Sequence, residues 1–226
     1  MAILKYKQFL KESEDPEIDY SFDELSPEAK QYAIDRNRDF SIEGVDWWDP
    51  IIEGFIEEME GIGMEDVDPQ FSGFYSQGDG ASFTGRVRDN EKFLNALGLN
   101  SINKIDKNRI GSEKLTKYLK SLAENIYITI ERTDNRHYHH NTISANVEVD
   151  GEDEIELDLG IGMTINIDVQ EQCDTLEPEI TEWARNRSKK LYSDLEKYYE
   201  ELQSDENVAG DLRSGGYRFD ETGNMV

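Results

Sequence analysis

Residues 143–169 read ISANVEVDGEDEIELDLGIGMTINIDV, and this stretch decides the fold. Its apolar residues fall at alternate positions from Ile143 to Val149, and again from Ile155 to Val169. A period of two residues is that of a β-strand with one buried face. Asp150-Gly151, between the two halves, is a strong β-hairpin signal. The stretch therefore predicts an antiparallel meander, whose last strand is bent at Gly160 and Gly162.

Helix signals surround this region. Ser26-Pro27-Glu28 places an N-cap, a proline and an acid in the order that starts a helix, and we expect this helix to reach about Phe40. Four other segments are predicted helices: one that starts at Asp49 and is ended by Gly61 and Gly63, Asn90 to Leu97, Ser112 to Asn125, and Thr175 to Gln203 with a start near Pro178. The predicted fold class is α+β, an antiparallel β meander packed against several helices, with a long C-terminal helix.

Length and composition favour a folded domain. The 226 residues are 36% hydrophobic and 10% aromatic, which is too apolar for a disordered acidic tail. Cys173 is the only cysteine, so no internal disulfide can form and a reducing compartment fits. No apolar run approaches the roughly 18 residues that span a bilayer. We expect a single α+β domain over residues 20–226, preceded by a helix and linker at 1–19.

Charge is the strongest clue to function. The net charge is −26, and two stretches, 39–85 and 137–184, contain twelve and thirteen acidic residues without a single Lys or Arg. Such a field repels nucleic acids, nucleotides and anionic membranes, and it attracts basic protein surfaces, including clefts that hold DNA or RNA. A general solubility role is the alternative. The predicted partner-binding residues are acids of one helix and one sheet face, with a tryptophan pair: Glu53, Glu57, Glu60, Glu148, Asp150, Glu154, Glu156, Asp158, Trp47 and Trp48.

A glycine-rich aromatic segment gives a second hypothesis, a pocket for a small ligand. Its candidate lining residues are Phe71, Phe74, Tyr75, Gln77, Asp79 and Phe83, with Arg86 or Arg88 available to offset the negative field. The segment does not match a phosphate-binding loop, since no Gly-Lys-Ser/Thr follows it. We therefore expect Gly78 and Gly80 to shape a turn, at least one with positive φ, and Phe83 to pack inward.

Enzyme chemistry has weak support. His137 and His139 would share a strand face and could form a metal pair, but a polar strand end without metal is the more common case. Segment 150–154 lacks the ligand spacing of a calcium loop. Cys173 has no neighbouring histidine in the sequence to activate it. We predict no catalytic residues, no cofactor and no dedicated metal site; a metal-dependent enzyme using the histidines remains the alternative.

Three segments carry a resemblance: Phe22-Asp-Glu-Leu-Ser-Pro-Glu-Ala-Lys-Gln-Tyr-Ala-Ile34, Trp47-Trp48-Asp49, and Phe71-Ser-Gly-Phe-Tyr-Ser-Gln-Gly-Asp-Gly-Ala-Ser-Phe83. Together they resemble a family of uncharacterised tailed-bacteriophage proteins that sometimes bear an antitoxin-like label. The similarity continues through Arg136-His-Tyr-His139 and Leu195 to Asp205, and brings no established catalytic residues. It implies a phage protein acting in the host cytoplasm.

The segment Tyr6-Lys7-Gln8-Phe9-Leu10-Lys11-Glu12 resembles the amino-terminal targeting peptide of internal capsid proteins in large contractile-tailed phages. That resemblance implies cleavage after Glu12, packaging in the capsid and injection with the genome; an ordinary amphipathic helix is the alternative. Taken together, the sequence predicts a phage-encoded, non-enzymatic inhibitor of a host or defence protein with a basic nucleic-acid-binding surface. A virion internal protein without an inhibitory role is a further alternative.

Overall fold

A computed structural model describes residues 19–98, 112–134, 136–160 and 162–226. The described chain forms two compact units. Residues 19–47 and 198–226 make the first unit, and the described residues between 48 and 197 make the second. The sequence predicts one domain over residues 20–226. This stays a prediction, and it requires that the two units unfold together. The expected helix and linker before residue 19 lie outside the described residues.

The first unit is a small α/β layer built from both ends of the described chain. Strand β1 (Tyr20–Ser21) pairs antiparallel with β8 (Arg218–Phe219), and helices α1 (Pro27–Arg36) and α6 (Asp205–Ser214) complete the unit. Ser26 caps α1 as predicted, accepting a hydrogen bond from Ala29 N at 3.2 Å. The helix ends at Arg36 rather than near Phe40. Its core is Phe22, Leu25, Ala29, Ala33, Ile34, Val208, Ala209, Leu212 and Phe219.

The second unit contains the principal sheet. Four antiparallel strands lie in the order β2 (Met64–Phe71), β3 (Ala81–Val87), β4 (Ile126–Arg132) and β5 (Ile143–Val149). The alternation predicted from Ile143 is confirmed in β5, where Ile143, Ala145 and Val147 are buried, and β4 shows the same pattern with Ile126, Ile128 and Ile130 buried. Strand β2 ends at Phe71, and residues 72–80 form the turn to β3.

A separate hairpin replaces the end of the predicted meander. Strands β6 (Glu154–Gly160) and β7 (Met163–Asp168) pair with each other in a two-stranded sheet. The expected bend at Gly160 and Gly162 is the tight turn between them, with Gly162 at φ 70°. The hairpin predicted at Asp150-Gly151 is wrong. The backbone N–H groups of Asp150 and Glu152 donate to Asn125 O (2.8 Å) and Asn125 Oδ1 (2.6 Å), and the chain turns a corner there.

Helices cover the sheets of the second unit: α2 (Asp49–Gly61), α3 (Asn90–Leu97), α4 (Ser112–Ala123) and most of α5 (Val169–Leu202). The bounds of α3 agree with the sequence. Helix α5 starts well before Pro178, because Asp168 caps it by accepting from Glu171 N at 3.0 Å. Pro178 therefore lies inside the helix, where it removes the hydrogen bond to the Asp174 carbonyl; Asp174 is exposed, so water can replace that bond. The α+β class with a long C-terminal helix is confirmed.

Candidate partner-binding surface

Helix α2 separates two kinds of carboxylate. Phe55 and Met59 face the core, and Glu53, Glu57 and Glu60 are exposed and make no ion pair with any described residue. Glu58, on another side of the helix, accepts from Arg187 Nη1 at 2.6 Å and lies 3.9 Å from Lys190 Nζ. The predicted acidic helix face therefore exists as a group of three carboxylates, and Glu58 has a structural role instead.

An apolar groove runs beside this acidic face. Between α2 and β2, a depression of about 520 Å³ is lined by Trp48, Ile52, Ile56, Val67, Asp68, Pro69, Gln70 and Phe71. The two isoleucines are partly exposed. They belong to an apolar stripe that runs from Ile51 to Ile62 and covers an arc of roughly 140° at 100° per residue. Its width was the signal that some of its members lie at the edge of the core.

The β6–β7 hairpin carries the second acidic face. Glu154, Glu156 and Asp158 are exposed at alternate positions of β6. Opposite them on β7 stand Asp168, Asn166 and Thr164, so the facing strand supplies no basic residue. Asn166 Nδ2 donates to Glu154 Oε2 at 3.2 Å. Lys117, on α4, lines a depression together with Glu156 and Asp158 and is a cation close to this face.

The other two predicted acids sit at the start of the same region. Glu148 is exposed on β5, opposite Tyr127, and accepts from Asn146 Nδ2 at 2.8 Å. Asp150 is exposed at the corner held by Asn125, so both acids precede β6 directly in the chain. The structure thus places five predicted acids along β5, the corner and β6, in chain order.

The tryptophan pair is divided between the units. Trp47 belongs to the first unit, where its ring centroid lies 6.3 Å from that of Tyr198 and 5.4 Å from that of Tyr199. Trp48 belongs to the second, where it lines the groove and meets Phe71 edge-on at 5.8 Å. Both rings are partly buried. Trp48 is therefore placed beside the acidic face of α2.

The glycine-rich segment forms a turn, and the structure places its candidate residues in different surroundings. Phe83 is fully buried, with its ring 5.1 Å from Phe55 in an edge-to-face contact. Asp79 Oδ2 closes the turn by accepting from Ser76 N at 2.7 Å, and Gly78 has φ 96°, so the predicted turn is confirmed. Phe71 and Phe74 stack at 6.1 Å, and Tyr75 and Gln77 are exposed. Phe71 also lines the α2–β2 groove.

The sequence did not predict a charged cleft of about 740 Å³ that the structure contains. It is lined by both signs of charge: Glu60, Glu65, Arg88, Asp89, Glu91, Lys92, Lys120 and Glu124, together with Gly63, Met64, Asn90 and Ala123. Gly63 O accepts from the backbone N–H groups of Arg88 (2.9 Å) and Asp89 (3.0 Å) and fixes one wall. The residues come from α2, β2, α3 and α4, which no local pattern connects. With acids and bases interleaved, the cleft has no single charge preference.

The histidine segment packs near the middle of α5. His139 and His140 have ring centroids 4.0 Å apart, and His139 Nδ1 accepts from Asn141 N at 3.1 Å, which occupies that ring nitrogen. Burial, and then the neighbouring His139, Lys189 and Arg185, lower the pKa of His140 to about 4. Across the described residues, no three side chains of the metal-binding types are grouped to hold an ion.

Cys173 is fully buried, and burial raises the pKa of its thiol to about 11. A thiol with this pKa is almost wholly protonated at neutral pH, which makes it a poor nucleophile. Among the helices of the described residues, none combines the length and the hydropathy that a membrane span requires.

Comparisons with known proteins give a family and no function. No curated protein and no solved structure shows significant similarity to the chain. A family model described as "Domain of unknown function (DUF8835)" matches residues 47–205. The match covers the whole second unit, including both acidic faces and the groove. The chain therefore belongs to the DUF8835 family.

Proposed function

We propose that this chain is a phage-encoded, non-enzymatic inhibitor that binds the basic, nucleic-acid-binding surface of a host or defence protein. Its phage origin rests on the sequence resemblance described above. Its mode of action rests on the charge distribution. The observation that carries the proposal is the exposed row of Glu154, Glu156 and Asp158, opposite a strand that offers no base.

The row approaches the geometry of a nucleic acid strand. Alternate residues of a β-strand are about 6.7 Å apart, so β6 presents one carboxylate per that length. One strand of a DNA duplex carries a phosphate every 3.4 Å or so of helix axis. The row thus has about half of that linear density, and Glu148 and Asp150 extend it along the chain.

Like charges at this spacing lower the stability of the hairpin, since carboxylates on one face repel each other. A basic partner would relieve that repulsion on binding. The same field would speed association at low salt, because oppositely charged surfaces are steered together. These two effects favour a binding role for the row over a purely solubilising one.

The test begins with capture of bacterial proteins on the immobilised chain at about 50 mM salt, followed by competition with duplex DNA. We expect a captured protein that DNA displaces, and whose affinity for the chain falls at least about tenfold by roughly 300 mM salt. The variant Glu154→Lys, Glu156→Lys, Asp158→Lys should weaken that complex by about tenfold or more, with an unchanged circular dichroism spectrum.

A matched control changes the net charge equally at another site. Glu171, Asp174 and Glu177 are exposed on α5, and their replacement by lysine should leave most of the affinity. If both triple variants lose affinity equally, total charge governs binding and the β6 row is not the site. A captured protein that duplex DNA does not displace would contradict the imitation of nucleic acid.

A further inference from the structure

The groove between α2 and β2 combines apolar walls with one acidic rim. Ile56, in the α2 wall, has Glu53 and Glu60 as its neighbours at i−3 and i+4, so both carboxylates stand on the same side of the helix as the groove. Val67 and Pro69 supply the opposite wall from β2. A volume of about 520 Å³ is in the range of sites that accept several apolar groups.

The two rims differ in available charge. On the β2 side the carboxylates are already paired: Arg86 lies 2.8 Å from Glu65 and 3.0 Å from Asp66, and Arg132 lies 2.8 Å from Asp68. On the α2 side Glu53, Glu57 and Glu60 have no ion pair among the described residues. The groove therefore attracts positive charge to one edge, which would orient a partner across it.

The edge strand is a poor template for another strand. Strand β2 has a bulge between Glu65 and Asp68, with Asp66 at φ 53°. Pro69 adds a residue without an N–H group. Bulges and prolines are features that prevent strand addition at a sheet edge. A partner segment that fills the groove is therefore better suited as a helix than as an added strand.

We propose that the α2–β2 groove binds a cationic amphipathic helix of the partner. Its apolar side chains enter the groove against Ile52, Ile56 and Val67, and its Lys or Arg residues face Glu53, Glu57 and Glu60. This is the helix-in-groove mode of recognition, with charge fixing the orientation. The inference rests on the proposed function for the basic character of the partner, and it adds an apolar anchor that imitation of nucleic acid alone does not require.

The experiment uses two labelled 18-residue peptides made of leucine and lysine in identical number. One has leucines at i, i+3, i+4 and i+7, and the other has the same residues in an order without an apolar face. Fluorescence anisotropy with the full chain at about 300 mM salt screens most of the general attraction. We expect the amphipathic peptide to bind at least about tenfold more tightly than the scrambled one.

Variants locate the binding. Ile56→Ser should weaken binding of the amphipathic peptide by about tenfold through lost apolar contact. The triple change Glu53→Gln, Glu57→Gln, Glu60→Gln should weaken it by a similar factor at about 50 mM salt, since each exposed pair contributes a factor of roughly two to three. The matched control, Glu171→Gln, Glu177→Gln, Glu182→Gln on α5, should retain the affinity of the unaltered chain.

Each of the following outcomes would contradict the proposal that the α2–β2 groove binds a cationic amphipathic helix. Equal binding of the two peptides would mean that charge alone is recognised, which leaves the proposed function standing. Loss of peptide binding in the control triple but not in the α2 triple would place the site elsewhere. Self-association of the chain that Ile56→Ser abolishes, measured by light scattering, would identify a second copy as the occupant instead.

Discussion

At the scale of single residues, two neighbouring glutamates of α2 have different roles, because successive side chains of a helix point about 100° apart. Glu58 contacts Arg187 and Lys190 and holds α2 against α5. Glu57, one position earlier, is exposed and unpaired within the described chain. The distinction is a matter of which element packs nearby, because both are glutamates in the middle of one helix. Acidic residues counted from the sequence therefore include structural members that should be left out of a binding surface.

His140 should make stability depend on pH between about 6.5 and 4. Its folded pKa is about 4 and its usual value is 6.5, so in this window the unfolded chain binds more protons than the folded one. Stability contributed at neutral pH is then lost as the pH falls through the window, and no more is lost below it. Because the ring is only partly buried, we expect about 1 kcal/mol rather than the full linkage value.

The measurement is urea unfolding at several pH values, compared between the unaltered chain and His140→Asn. Carboxylates titrate in both proteins, so the difference between the two unfolding free energies isolates the histidine. His137→Asn, at an exposed position, serves as the control for replacing another histidine of the same segment. A difference for His140 that is constant from pH 7 to 4 would contradict the lowered pKa.

At the scale of elements, Asn125 joins two parts of the second unit. Its side chain donates to Ser121 O at 2.7 Å in α4 and accepts from Glu152 N at 2.6 Å at the β5–β6 corner. A Cβ at Gly151 would collide with Asn125 Oδ1, so the approach needs glycine. Asn125→Ala leaves the Glu152 N–H without its partner and should lower the unfolding free energy by about 1–2 kcal/mol.

Chemical denaturation measures that loss, and Asn146→Ala, at a partly exposed position of β5, is the control expected to change stability little. Gly151→Ala should be destabilising in the unaltered chain and less so when combined with Asn125→Ala, because the second change removes the atom that the new methyl group meets. Purely additive effects of the two substitutions would argue against the clamp.

Local signals predicted helices better than they predicted strand partners. The proline-led starts of α1 and α2 and the capped α3 depend on adjacent residues, which the sequence displays directly. The turn between β6 and β7 was missed because Ile155 pairs with Ile167 and Leu157 with Ile165, so odd positions face one side on both strands. The alternation of apolar and polar residues therefore continues across the turn without a break. The sequence pattern does not distinguish one long strand from two strands joined by a turn.

In the candidate surface, too, the sequence predicted the features that depend on local pattern and missed those that depend on distant residues. Exposure of the acids followed from periodicity, since charged residues alternate with buried ones on β6 and occupy one side of α2. The presence of the groove did not follow from periodicity, because the groove exists only where α2 lies beside β2. Phe83 and Phe71 belong to one aromatic segment, yet the first is core and the second lines the groove. Neighbours distant in sequence decide that difference.

At the scale of the whole molecule, a net charge of −26 should make salt stabilising. Repulsion among carboxylates raises the free energy of the folded state, and added ions screen it. We expect the melting temperature to rise by about 3–6 °C between roughly 20 and 300 mM sodium chloride. Calorimetry measures this, and the shape of the transition shows whether residues 20–226 unfold as one domain. A melting temperature that falls with salt would mean that attractive ion pairs dominate instead.

The pairing of β1 with β8 has a consequence for the order in which the chain folds during synthesis. Tyr20 and Phe219 are partners in one ladder, so the first unit cannot close until the ribosome has made residue 219. At roughly 5–20 residues per second, Phe22, Leu25 and Ile34 wait on the order of ten to forty seconds for Val208, Leu212 and Phe219. The acidic second unit emerges complete in that interval. A nascent chain whose residues up to 197 have left the ribosome would therefore display both acidic faces while its earliest apolar residues still lack their core.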